Sequence, residues 1–594
     1  MCEGLHRNRS LRAALALILT LAGFMFGQEG RARAAGASQP APTTRLQTVR
    51  PIAVPADSPP IPPSDVAEYD TLGYSAWQVG PGEDQGKKFD LMPAGYAGAP
   101  NTARLLSYFS MSDIHITDKE SPAQVPYFGW HEPAGATGLM SQTYSPVMVM
   151  TTQILDAVVR TVNDLHERTP FDFGIVLGDI TNNAQYNELR WFIDVLDGRF
   201  ITPSSGAHSG ADSVDYQQPF QAAGLNRSIP WYTTIGNHDQ GWMGVANASS
   251  KIQNALVGSQ ILNMGVNPLL PDATESTGMY VGVVDGTTTN CVVVKGGPVS
   301  DFATTPTVVA DANRRSLTTT DSTTRQFMSE FFNTTSLPAG HGFSESNITS
   351  DTACYAFEPK SELPIKIIVL DDTCKGRNPV GGVAYYANGW IDEARYAWLT
   401  SELQKGQDAG QLMIIATHIP INPQADLFDT TKAPNFYAGS YLNDAQLITT
   451  LQNYPNLLLV MAGHRHRNTV TPHPSTDPAH PENGFWEVEN SSLRDFPQQF
   501  RTFDIRRNSD NTISILTTDV DPAVVDGSPA RKSRGYAIAN RRLFGMLALT
   551  NTASQVYNAE LVKPLTPAMQ EKIARYGEPI AQAQVPNKAW RDYR

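Results

Sequence analysis

Cysteine is scarce: four in 594 residues. That excludes a small disulfide-built scaffold, and it excludes a structural zinc module, whose tetrahedral sites are usually closed by thiolates. Long apolar runs are equally few. One stretch, Ala13 to Gly27, follows Arg7, Arg9 and Arg12 and precedes Ala32-Arg33-Ala34. About fifteen apolar residues cross a bilayer poorly, and the order charge, apolar run, small-residue site is that of a secretory signal peptide. Cleavage there leaves Ala35 as the mature N-terminus and no stable membrane span, so the expected location is periplasmic or extracellular. The first 34 residues contain no adjacent arginine pair, which favours general secretion over twin-arginine export. Basic residues are the third shortage, 45 Lys and Arg against 58 Asp and Glu, for a net charge of −13. Five arginines and two glutamates leave with residues 1–34, which moves the charge to −16. An acidic surface repels nucleic-acid backbones and argues against a processive DNA or RNA binder. Cys2 also leaves. A disulfide between two of Cys291, Cys354 and Cys374 fits an oxidising compartment, with the pairing left open.

What the chain does have is a set of five short polar clusters. They are Asp113-Ile-His115, Gly178-Asp179, Asn237-His238-Asp239, His418, and Gly463-His464-Arg465-His466. Each follows an apolar, β-branched run that reads as a buried strand: Leu105–Phe109, Phe173–Leu177, Trp231–Ile235, Leu412–Ala416 and Leu457–Met461. A parallel sheet sets the carboxyl ends of its strands along one edge, so five such ends can converge on one crevice. Carboxylate and amide oxygens mixed with imidazoles suit Zn, Mn, Fe or Co and disfavour a calcium cage. Two such ions about 3.5–4 Å apart need one carboxylate able to bridge them. Gly236 before Asn237 is expected to permit a tight turn.

Taken together and in this order, the clusters resemble those of the calcineurin-like metallophosphoesterase superfamily. The resemblance implies a four-layer α/β/β/α sandwich with two facing sheets, here carrying long inserted loops. It implies that Asp113, His115, Asp179 and His466 hold one divalent transition-metal ion, and that Asp179, as the bridge, Asn237, His418 and His464 hold a second. Asn182 fits the family pattern Gly-Asp-x-x-Asp/Asn. His238 would then be a non-ligand general acid and Asp239 the carboxylate that orients it. The implied reaction is hydrolysis of a small phosphomonoester or phosphodiester by a hydroxide shared between the ions, with Asn237 helping to neutralise the phosphoryl oxygens. His115 and the lack of tyrosine at 180–183 set the chain apart from the purple acid phosphatases, which have Asp-x-Gly and an iron-bound tyrosine. Asp-x-His is shared by phosphodiesterases, nucleotidases and sphingomyelinase-like enzymes, which the motifs do not separate. The whole chain is similar to an exported bacterial subgroup with long insertions. An alternative reading keeps the fold without the chemistry, as a metal-binding or degenerate surface module used in binding or assembly.

Domain organisation follows from composition. Residues 1–34 read as the signal peptide and 35–100 as a Pro/Ala/Gly-rich arm, wrapped on the surface or serving as a linker. Residues 101–520 read as the catalytic domain and 521–594 as a C-terminal extension. Insertions fall at 121–145, 202–227 and about 240–364. The last could be a lid over the site or a surface elaboration, and Tyr127, Trp130 and Trp242 could line a pocket or simply pack. Helical spacing appears at Ile154, Val158, Val162 and Leu165, at Leu189, Ile193 and Leu196, and over Asp392–Gln407, Asn443–Gln452 and Pro567–Tyr576. Arg531, Lys532, Arg534, Arg541 and Arg542 could meet an anionic surface or form a solvated face.

Overall fold

Three apolar runs, Ile365–Val369, Leu412–Ala416 and Leu457–Ala462, are buried along their whole length. Such runs suit central parallel strands, covered on both faces. In the computed structural model they lie side by side, in parallel, within a six-stranded sheet. Residues 43–131, 143–203, 219–264, 278–285, 290–318, 323–374, 389–421, 441–545 and 558–580 are described by the structure. The expected signal segment lies outside them.

The period of two along these strands sorts their side chains into two cores. Ile367, Ile414, Leu459 and Met461 point to a core shared with the second sheet. Ile368, Met413, Ile415 and Val460 point the other way, against Leu399 and Leu403 of the helix Glu393–Asp408 and Leu447 and Leu451 of the helix Asp444–Leu451. The second sheet has eight strands, with Asn101–Met111, Phe173–Val176 and Trp231–Thr233 adjacent and parallel. The helices Thr151–Arg168 and Tyr186–Asp197 contribute Ile154, Val158, Leu189 and Ile193 to the same core. Two facing sheets with helices beyond them make the expected α/β/β/α sandwich.

Tyr108 shows how the sheets are joined. It is fully buried, its ring stacks between Phe173 at 4.7 Å and Phe503 at 4.9 Å, and its hydroxyl donates to Met461 Sδ of the opposite sheet at 3.4 Å.

Several expectations from the sequence need correction. The boundary at 520 is not a structural division. Asn558–Lys563 forms a strand inside the eight-stranded sheet, between Ile513–Val520 and Gly86–Lys88, so arm and C-terminus both build the sandwich. Of the basic residues of the helix Pro529–Leu543, Arg534 and Arg541 are buried, and Arg531, Lys532 and Arg542 are partly buried. Arg534 donates to Pro522 O, Arg542 to the carbonyls of Gly73 and Tyr74, and Arg531 lies over the Trp77 ring. Through these contacts the helix fastens the arm, a role that neither expected reading anticipated. Cys291, Cys354 and Cys374 are buried and no disulfide joins them. Cys291 belongs to the cluster under the arm and Cys354 to the helix-covered face of the six-stranded sheet.

The large insertion divides in two. Its far end, Tyr355–Phe357, is an edge strand of the six-stranded sheet, and the Tyr355 hydroxyl bonds Thr233 across the core. Its near part has its own three-stranded sheet of Asn263–Met264, Met279–Val284 and Val293–Pro298. Tyr127 and Trp242 pack in apolar clusters here, and Trp130 lies partly buried against one, so the packing alternative holds for all three. Among the described residues no helix is long and apolar enough to cross a membrane. Removing the aromatic plug between the sheets, as Tyr108→Ala, is expected to destabilise the protein by about 3–5 kcal/mol, read from denaturant unfolding.

Candidate metal centre

All five polar clusters lie just beyond the carboxyl ends of their strands, three from the eight-stranded sheet and two from the six-stranded one. The turns there are tight. Asp113, His115, Asp179, His464 and His466 all have positive φ, between 48° and 74°. Non-glycine residues seldom adopt that region, and each instance costs about 1–3 kcal/mol. Gly236 permits the tight turn by closeness, because a Cβ there would overlap the Asp179 carboxylate.

The side chains gather into sets that can hold a metal. Asp113, His115 and His466 form one, and Asp179, His418 and His464 another; His115, Asp179 and His238 also fall together. In the first, His466 Nε2 lies 3.1 Å from His115 Nε2 and 3.3 Å from Asp113 Oδ1. In the second, His418 Nε2 lies 3.3 Å from Asp179 Oδ2 and 3.0 Å from Asn237 Oδ1, which is also 3.1 Å from His464 Nδ1.

Their other atoms are tied back, which fixes what faces inward. His418 Nδ1 donates to Leu177 O at 2.7 Å, leaving Nε2 for the centre. His466 Nδ1 donates to Asp495 Oδ2 at 2.6 Å, with the same result. Asn237 Nδ2 donates to Gly244 O at 3.0 Å, so its oxygen turns in. One of the two amide N–H groups is therefore committed to the Gly244 carbonyl. Hydrogen bonds of this kind orient metal ligands and raise their basicity. His115 is the exception, because its buried Nδ1 has no hydrogen-bond partner.

The donor set fits a cation. Asp113 Oδ1 is buried and accepts no hydrogen bond. Burial lowers an imidazole pKa, yet Asp179 outweighs it at His418 and drives that ring up to about 10. At His466, burial is overcome by Asp113 and Asp495, and the pKa rises to about 9. His464, buried and beside the charged His418, falls to about 3. The buried carboxylates thus pull one imidazole of each set toward its charged form, the same demand for positive charge that a divalent ion would meet.

Asp239 does not orient His238. Its oxygens accept from the backbone N–H groups of Ile180, Thr181 and Gly236 at 2.9–3.2 Å, which clamps two ligand turns together. His238 Nδ1 instead donates to Asn182 O at 2.8 Å. Asn182 thus contributes through its backbone, while its side chain reaches Met243 Sδ at 3.8 Å.

Sequence reading missed Asp495, Ser492 and Glu188. Ser492 Oγ donates to Asp113 O at 2.7 Å, and Glu188 accepts from the N–H groups of Asn182 and Asn183. The signal available was a sixth strand end: Ser-Ser-Leu-Arg-Asp follows Phe485–Glu489, itself parallel to Leu457–Ala462.

No protein-family profile matches the chain, and no curated protein matches it. Among solved structures, that of a dimetal phosphatase from Danio rerio is similar at 13% identity, covering 71% of this chain and 97% of that one, with a TM-score of 0.35. A likeness that weak carries no argument for fold or activity. The geometry does generate an expectation about Asp495. Asp495→Asn removes the charge that holds His466, and divalent-metal affinity is expected to fall roughly 10–100-fold, measured by titration of metal-free protein.

Proposed function

We propose that this chain is an exported phosphohydrolase that holds two divalent transition-metal ions, Mn, Zn, Fe or Co, and cleaves small phosphomonoesters or phosphodiesters, as members of the calcineurin-like superfamily do. One observation carries the reading. Asp179 Oδ2 lies 3.6 Å from His115 Nε2 in the first ligand set and 3.3 Å from His418 Nε2 in the second, the position of a carboxylate shared by two ions. Export is supported by the charge, apolar run and cleavage pattern of residues 1–34.

Bound divalent ions supply Lewis acidity to phosphoryl oxygens and lower the pKa of water. The chain's own residues do the rest. Asp113, His115 and His466 would hold one ion, Asn237, His418 and His464 the other, and Asp179 both. His238 is fixed at Nδ1 by the Asn182 carbonyl, which leaves Nε2 as the atom able to hand a proton to a departing oxygen. Burial lowers the pKa of that ring, and the negative charge of a bound ester opposes the shift. The acidic surface does not exclude a small ester, because metal charge dominates the local field.

Reconstitution with Mn, Zn, Fe or Co, elemental analysis and a panel of mono- and diesters test the reading. Close to two ions per chain and hydrolysis of at least one ester class are expected; one ion or none, or no ester cleaved, overturns it. His238→Ala is expected to keep both ions yet lose roughly 10²–10⁴-fold on alkyl esters. Its loss on aryl esters, whose leaving groups depart unassisted, should be far smaller. Equal losses on both, or loss of an ion, would remove the general-acid role.

A further inference from the structure

The described residues of the near part of the large insertion, 240–264, 278–285 and 290–308, build an apolar cluster around Trp242, Ile252, Leu256, Leu262 and Val281, joined by Ala123 and Val125. Nothing in that packing obliges it to touch the reaction centre. Its first turn nevertheless does. Trp242 and Ala246 exchange backbone hydrogen bonds at 2.8 and 3.3 Å, closing a turn with Gly244 inside it at φ +67°. The outer side of the turn is anchored twice: Trp242 Nε1 donates to Ala123 O at 2.8 Å, and Met243 N donates to Asn183 Oδ1 at 2.9 Å. The inner side meets two groups of the centre. Gly244 O accepts from Asn237 Nδ2 at 3.0 Å. A Cβ on Gly244 would lie 2.6 Å from His238 Nε2 and would overlap His238 Cδ2 and Asn237 Nδ2. Contacts below 3 Å to a Cβ force one partner to move, and here both partners are buried.

We propose that Gly244 is a positioning residue and that the insertion 240–308 is the support that presses it against the centre. The His238 ring is held from two sides, by the Asn182 carbonyl on Nδ1 and by the bare Gly244 Cα at its opposite edge. The Asn237 amide is held with its oxygen toward His418 and His464, because its N–H end is taken by Gly244 O. One turn of an inserted segment therefore sets both a metal-facing oxygen and a proton-donating ring. A surface elaboration would explain neither the double anchorage nor the requirement for glycine. The part that concerns His238 rests on the phosphohydrolase reading; the part that concerns Asn237 rests on ligand geometry alone.

Gly244→Ala in the full-length protein tests both parts. In titrations of metal-free protein with Mn²⁺, affinity at one of the two sites is expected to fall roughly 10–100-fold, since the hydrogen bond that orients Asn237 is disturbed. On an alkyl ester kcat should fall on the order of 10²-fold with KM little changed, the usual effect of a misplacement near 1 Å. At saturating Mn²⁺, where the contribution through Asn237 is restored, the Gly244→Ala/His238→Ala double variant should be no slower than His238→Ala alone, because both changes then remove the same contribution. Unchanged Mn²⁺ affinity overturns the role toward Asn237, and additive rate losses overturn the role toward His238. Should Gly244→Ala not fold, Asn183→Ala carries the test by removing the acceptor for Met243 N without touching either group. The same losses at smaller size support the proposal, and wild-type behaviour in both measurements overturns it. If the wild-type protein cleaves no phosphate ester, the phosphohydrolase reading fails, and the Mn²⁺ titration still decides whether Gly244 positions Asn237.

Discussion

Seven lone-pair donors pointed at one buried place repel one another, and that repulsion is the constraint on which the rest of the structure depends. Asp113 and Asp179 are almost fully buried, 0% and 2% exposed, with imidazole nitrogens 3.3–3.6 Å from their oxygens. Buried carboxylates are tolerated only when paired or when they coordinate a cation. The strained backbone at five of the seven donors adds to the cost, since each left-handed turn must be held by something outside itself. The surroundings supply that hold. Asp239 clamps the Asp179 and Asn237 turns through three backbone N–H groups, Asp113 Oδ2 accepts from His464 N at 2.9 Å, and the Asp179 carboxylate accepts from His238 N at 2.8 Å. Asp113 and Asp179 are thus tied to the backbones of neighbouring turns of the same centre, which limits how far either carboxylate can relax.

Much of this arrangement is legible in the sequence, and the reason is periodicity. Uninterrupted apolar runs such as Leu457–Ala462 can only be central strands in a covered sheet, and a polar cluster after each run can only fall at a strand end. That logic locates all seven donors. It fails where the outcome depends on which way a side chain turns within a tight loop. Asp239 follows His238 directly, and the family resemblance implied that it orients that ring. Consecutive side chains of a tight turn point apart, and the three nearby N–H groups take the carboxylate instead. The orientation of Asn237 has a cause beyond its own turn too: its two amide ends are indistinguishable from sequence, and the Gly244 carbonyl holds the nitrogen so that the oxygen turns inward. Gly236 was legible as the residue a tight turn needs, and the atom that leaves no room for a Cβ there is the Asp179 carboxylate.

Long-range partners were illegible for another reason. Asp495 reaches His466 from a loop after a different strand, and nothing local distinguishes it from other surface-like polar residues in Ser-Ser-Leu-Arg-Asp. The C-terminal segment looked like an extension because it follows a complete run of motifs. Its strand Asn558–Lys563 alternates too weakly to be told from a loop, and only pairing with Ile513–Val520 reveals it.

Those outer segments have a physical task at the centre. On the helix Pro529–Leu543, Arg541 donates to His466 O at 3.3 Å and lies 3.6 Å from Asp495 Oδ2. The next residue, Arg542, donates to Gly73 O and Tyr74 O of the N-terminal arm. Two adjacent guanidinium groups therefore face opposite ways, one against the carboxylate behind a ligand and the other against the arm that overlies the helix. Asp495 is held far below the usual carboxylate range despite burial, with Arg541 and His466 as the opposing influences. A permanently charged Asp495 keeps the His466 proton on Nδ1 and Nε2 directed inward. A buried arginine and aspartate would contribute little to stability by themselves, since desolvation offsets their attraction. Their placement is better accounted for by the ligand they orient, and that dependence ties the arm and the C-terminus, remote in sequence, to one imidazole at the centre.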